Sequence, residues 1–214
     1  MTILVPTIRS SGGRPYSESV SISQATRTYL DHAATSPVRP EVAEQVAADL
    51  RAGLGGWANL AAQHASGRRV GAMLAEARAR LAAVVDADPH EVLFTGGGTE
   101  ADALVVCGRV LAARAAGVRT PRLVTSPLEH PAVLDSSRTA AVRLGAEHVE
   151  VAVDAAGRVK VESLRRVAPG AALVSVMAAN NETGVVQDVG GLVEAVREAA
   201  GTRRPQGEGY VPVH

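Results

Sequence analysis

The chain has 214 residues with 22 basic and 22 acidic side chains, so its formal charge is zero and it offers no basic face to attract nucleic acid or an anionic membrane. Hydrophobic residues make up 46% but aromatics only 2%, so a sizeable core built from Val, Leu and Ala is expected, in one large α/β domain or two small ones. The single cysteine, Cys107, excludes an intrachain disulfide and a Cys-rich zinc site.

Residues 1–27 are rich in Ser, Gly and Thr without sustained periodicity, which predicts a loose N-terminal arm. The opening Met1–Pro6 has no charged n-region, and no apolar stretch reaches membrane-spanning length, so a cytoplasmic protein is expected. Order is expected from Thr28. Pro40 to Leu54 reads as a helix, with Pro in its first turn and Val42, Val46 and Leu50 on one face. A longer helix follows from His64 to Val85, striped by Val70, Leu74, Ala77 and Leu81 and stopped by Asp86-Ala87-Asp88-Pro89.

Glu91–Phe94 is expected as a short strand leading into glycines, with a helix from Thr99 to Ala116. Arg122–Thr125 then reads as a strand, Pro131–Leu144 as a helix and Glu147–Val153 as a strand. Glu162–Val167 is a short helix, Ala172–Met177 a buried strand and Asp188–Ala200 a helix. Thr202–Gly209 reads as a loop, and Tyr210–His214 begins one more strand. Such alternation predicts an α/β fold with a mostly parallel sheet and helices on both faces.

Three segments carry chemistry. Phe94-Thr95-Gly96-Gly97-Gly98-Thr99-Glu100 could present free helix amides to a phosphate, or could be an ordinary tight turn. Its lack of Gly-Lys-Ser/Thr rules out a P-loop. The G-x-G-x-x-[G/A] pattern is met, but no acidic residue ends the next strand, which weakens a dinucleotide reading. Glu129-His130-Pro131 follows a strand at the carboxyl edge, where a histidine can stack on a planar ligand, move protons, or simply start a helix. Asn180-Asn181-Glu182-Thr183-Gly184 follows the buried strand, and its amides can bond a ligand hydroxyl or satisfy turn backbone. Cys107 lies in a helical apolar run and reads as a buried, inert thiol. The histidines show no metal-ligand spacing, so no metal site is expected.

With the opening segment Tyr29-Leu30-Asp31-His32-Ala33-Ala34-Thr35-Ser36-Pro37, these motifs, in this order and spacing, resemble the class V aminotransferase family, and most closely its cysteine desulfurases. The likeness runs from Tyr29 to His214, about the front half of a complete member. It implies the fold-type I scaffold with pyridoxal 5'-phosphate, residues 28–214 being a partial large domain that lacks its C-terminal half. The family reaction is transfer of sulfur from L-cysteine, with release of alanine, toward iron–sulfur clusters and other sulfur carriers. By the same resemblance Gly98 and Thr99 hold the cofactor phosphate, and His130 stacks on the ring and assists proton transfers. Asn181 bonds the ring hydroxyl, and Ala33, Ala34 and Thr35 lie near the substrate.

Departures from the family pattern accompany the likeness. Ala58-Asn59-Leu60-Ala61-Ala62 replaces the usual Gly-Asn-Pro-Ser-Ser, and Ala103 replaces an Asn. His214 matches the residue just before an Asp-Ala-x-Gln segment. That Asp, the Schiff-base lysine and the sulfur-accepting cysteine have no counterpart among these residues, and the one lysine, Lys160, falls in a turn-and-strand segment. The expectation is therefore a truncated cysteine desulfurase-like domain, inactive alone. Three alternatives stay open: one half of a split enzyme joined by a complementing second half, a non-catalytic module that binds or dimerises with an intact homologue, and another class V enzyme such as an aminotransferase or selenocysteine lyase; a homodimer is open as well.

Overall fold

The computed structural model describes residues 28–52, 59–201 and 211–214. The expected arm over 1–27, the end of the first helix at 53–54 and the loop over 202–209 lie outside the described residues. The chain divides into two units, Met1–Pro37 and Val38–His214. In the first, the amides of Ala34 and Thr35 return to the Asp31 carbonyl, and the Tyr29 hydroxyl donates to the carbonyls of Asp31 (2.8 Å) and Thr35 (3.1 Å).

The second unit alternates helices and strands. Helix α1 (Pro40–Arg51) starts on Pro, and α2 (Ala65–Val84) is capped by His64, whose ring accepts the Gly67 amide. Gly67 has no room for a side chain, since a Cβ there would collide with the carbonyl oxygens of Ala62 and Asn59. Helix α3 (Gly98–Ala115) is followed by β1 (Arg122–Thr125), α4 (Pro131–Leu144) and β2 (Glu147–Glu150). Then come α5 (Val161–Val167), β3 (Ala171–Ser175) and α6 (Val189–Ala199).

The three strands are parallel in the order β2-β1-β3, with Leu123 opposite His148 on one side and Leu173 on the other. Beyond β3 the last residues add a rudiment of a fourth parallel strand. Val174 donates to the Pro212 carbonyl and accepts from the His214 amide, and Val176 donates to His214. Alternation along each strand sends side chains to opposite faces. Leu123 and Leu173 pack with Val106 and Val110 of α3 and Ala140 of α4. Val124 and Val174 pack on the other face with Leu164 of α5 and Leu192 and Val196 of α6. The parallel sheet with helices on both faces is thus the architecture of this unit.

The strand expected at Glu91–Phe94 does not form. Asp88 and Glu91 close a capping box that winds Pro89–Glu91 into one 3-10 turn. Arg78 of α2 then takes the Val92 carbonyl at 3.0 Å, with its guanidinium 5.7 Å from the Phe94 ring centroid. That carbonyl is drawn toward a helix side chain instead of a neighbouring strand, so a loop, not a strand, delivers the chain to the glycines. Strand β2 also ends at Glu150, short of the expected Val153, which instead forms an isolated antiparallel bridge with Val159 across the turn.

Candidate functional site

The site lies at the carboxyl ends of β1 and β3 and at the amino end of α3, where parallel α/β sheets bind ligands. Gly97 is the N-cap of α3, and the first helical bond runs from the Ala101 amide to the Gly97 carbonyl. The amides of Gly98, Thr99 and Glu100 therefore stand ahead of the helical ladder, at the positive end of the helix dipole. A Cβ built on Gly97 or Gly98 would meet nothing within 4 Å, so the space beside them is open. Gly96 differs: its amide donates to the Glu100 carboxylate at 2.6 Å. The cradle thus narrows to the first turn of α3.

His130 is the N-cap of α4, and its Nδ1 accepts the Ala132 amide at 3.1 Å, followed by Pro131 in the first turn. The ring is exposed and stands in the wall of two cavities. One, of about 450 Å³, also has Thr99, Ala103, Cys107 and Asp135 in its wall. The other, of about 360 Å³, has Asp102, Glu129, Met177 and His214. Thr99 and His130 are thereby brought to one cavity, with Gly98 next to Thr99 on the same helix end. Cys107, expected as a buried thiol, is half-buried and is one of the residues lining that cavity.

The tandem asparagines divide their work. Asn180 donates to the Leu128 carbonyl (2.8 Å), and its Oδ1 accepts the amides of Glu182 and Thr183 and the Thr183 hydroxyl. It is consumed in holding the turn to the β1–α4 loop, while Asn181 stays exposed beside it. Asn181 lines neither of the two cavities. Ala33, Ala34 and Thr35 belong to the first unit, in the turn closed on Asp31. Lys160 is the exposed N-cap of α5. Among the described residues no group of three or more His, Cys, Asp or Glu could hold a metal, and no helix is long and apolar enough to cross a membrane.

Sequence reading missed one cluster. Glu129 is buried, its Oε1 accepts the Met177 amide at 2.6 Å, and its Oε2 accepts the Ser175 hydroxyl at 2.9 Å. Ser175 lies 3.0 Å from His214 Nδ1, and His214 Nε2 lies 3.6 Å from Asp102. The only available signal was a glutamate in the short loop between β1 and α4, four residues past Thr125. Burial pushes the Glu129 carboxyl above its ordinary value, and the bonds from Met177 and Ser175 oppose this only in part. A raised carboxyl pKa contributes stability that is full below the ordinary glutamate value and is lost as pH rises through the folded value. Wild type is therefore expected to gain stability relative to Glu129→Gln as pH falls from neutral through the folded value toward the ordinary one. Urea melts of both proteins across that range check this, and a constant difference contradicts it.

Comparison with known proteins bears on this geometry. The family model Aminotransferase class-V matches residues 28–202. A cysteine desulfurase of Frankia sp. (strain EuIK1) is 42% identical over 179 residues, covering 80% of this chain and 41% of that protein. An IscS-like cysteine desulfurase of Mycobacterium tuberculosis is 42% identical over 161 residues, covering 74% of this chain and 40% of that one. Among solved structures, a NIFS-like protein superposes with a TM-score of 0.74 at 30% identity, over 88% of this chain and 48% of the other. The chain spans about two-fifths of the length of those curated relatives. Pyridoxal phosphate is the cofactor of this family. By the match across most of its length and by its fold, the chain belongs to the class V aminotransferase family, as a cysteine desulfurase-like domain.

Proposed function

We propose that these residues form the cofactor-holding part of a cytoplasmic, pyridoxal phosphate-dependent cysteine desulfurase acting on L-cysteine. The Schiff-base lysine and the sulfur-accepting thiolate then come from polypeptide outside these 214 residues. The observation that carries the reading is the juxtaposition of an open, glycine-started helix end with His130 across one cavity.

The residues present fit the cofactor. The Gly98 and Thr99 amides and the Thr99 hydroxyl would hold its phosphate, with the helix dipole favouring the negative charge. His130 would cover the ring face, and Asn181, left exposed by the turn that Asn180 holds, would bond the ring hydroxyl. When bound, the cofactor supplies an electron sink for a carbanion next to the substrate nitrogen. His130 Nδ1 is occupied by the Ala132 amide, so Nε2 is the nitrogen left to hold or move a proton.

Titration of the chain with pyridoxal phosphate, followed by absorbance, tests this. Saturable one-to-one binding is expected, weakened roughly tenfold by Thr99→Ala through loss of one charge-assisted hydrogen bond. Borohydride reduction is expected to leave no stoichiometric pyridoxyl group on Lys160, the exposed N-cap of α5. Binding that ignores Thr99→Ala, or a full adduct on Lys160, would overturn the assignment.

A further inference from the structure

We infer that Glu129 is a positioning residue of the site. Its buried carboxylate clamps the loop carrying His130 to the end of β3, and a hydrogen-bonded chain runs on through Ser175 to His214, whose ring faces Asp102 of the cradle helix. The inference rests on the proposed function for its purpose, but not for its geometry.

The clamp is bidentate, from a loop to one strand end. Glu129 belongs to the β1–α4 loop, whereas Ser175 and Met177 belong to β3 and its continuation, 46 and 48 residues away in sequence. A buried carboxylate held by two donors fixes its neighbour, and the next residue is His130. The same β3 extension leads directly to the asparagine turn, which Asn180 bonds back to Leu128 of that loop. Three hydrogen bonds, all donated from the β3 side and accepted by the loop, thus lock one loop to one strand end, and His130 and Asn181 ride on the two partners.

Proton positions follow from the donors. The Ser175 hydroxyl has one hydrogen, and giving it to Glu129 makes its oxygen the acceptor for His214 Nδ1–H. His214 Nε2 then faces Asp102, three residues beyond Thr99 on α3. The titratable groups around Glu129 are Asp102 from α3, His214 from the last segment and His130 on its own loop. Helix α6 presents only Val189 and Val193 to the shared cavity. The chain of bonds thus starts on the loop that carries His130 and ends at His214, whose ring faces the helix that carries Thr99.

Isotope-labelled chain without cofactor provides the test, with amide and imidazole spectra recorded across pH. The Met177 amide is expected far downfield, shifting with a midpoint above the ordinary glutamate range. Glu129→Gln should abolish that titration, lower Met177 exchange protection at least tenfold and move the His130 ring resonances, with the thermal melt nearly unchanged at neutral pH. Unchanged Met177 and His130 resonances in Glu129→Gln overturn the inference. Should that variant not fold, Ser175→Ala decides, because loss of one bond to the charged form should raise the Met177 midpoint further. An unchanged midpoint overturns the clamp. In a second arm, Glu129→Gln should bind pyridoxal phosphate at least tenfold more weakly than wild type, and equal affinities overturn the positioning role. A wild type that binds no pyridoxal phosphate overturns the proposed function, and with it the positioning role, while the cofactor-free spectra still decide the clamp.

Discussion

Leu164→Ala is expected to destabilise the fold by about 3 kcal/mol, the middle of the range for emptying a buried leucine site. Leu164 is fully buried on α5, packed among Val124, Val151 and Val174 of the sheet side and Leu192 and Val196 of α6. Helix α5 has only seven residues, too few to be stable without its tertiary contacts, so the cavity cannot close by local rearrangement of a strong helix. A loss of about 3 kcal/mol is a large part of the stability of an ordinary domain, and corresponds to a melting point lower by roughly 6–12 °C. The control is Val142→Ala, where the side chain is 82% exposed and the cost should stay within about 0.5 kcal/mol. Urea titrations of both variants check the pair. Equal, small losses would mean that the β1–β3 face toward α5 and α6 is not the tight core described.

Local chemistry explains where sequence reading and structure agree. Pro131 at the first turn and Gly145 in the left-handed conformation bound α4, and both ends were readable because each residue type has one strong conformational preference. Strand β3 is buried at every position, and a run of that kind between polar turns is legible as an interior parallel strand. Glu91–Phe94 failed for the opposite reason. Its apolar run satisfied a strand pattern, but a capping box and an arginine from another helix took the groups a ladder needs.

The candidate site was legible only in part, and the division is physical. Gly98, Thr99 and His130 stand at helix ends, which short-range patterns mark well. The roles of Asn180 and Asn181 could not be separated from the tandem alone, because the choice depends on which amide reaches Leu128 across the fold. The Glu129 cluster was invisible, since its four side chains come from α3, the β1–α4 loop, β3 and the last segment. No periodicity connects positions 102, 129, 175 and 214. Only the parallel sheet brings them together.

The largest expected effect falls on His130. In a polypeptide that joins these residues to the family's Schiff-base lysine and acceptor thiolate, His130→Ala is expected to lower sulfide release from L-cysteine by about 10²–10⁴, the usual contribution of a positioned acid–base group. The 214 residues alone should release no sulfide above free pyridoxal phosphate. One complication is built into the site: His130 also caps α4, so alanine removes a cap worth about 1 kcal/mol as well as the ring. His130→Asn separates the two roles. Asparagine is among the best N-cap residues and can accept the Ala132 amide, but it neither stacks as an imidazole does nor carries a proton near neutral pH. The asparagine variant should therefore melt within about 0.5 kcal/mol of wild type while remaining as inactive as alanine. Turnover restored by asparagine would mean that His130 serves the helix and not the reaction, and the ring-facing role proposed for it would have to be abandoned.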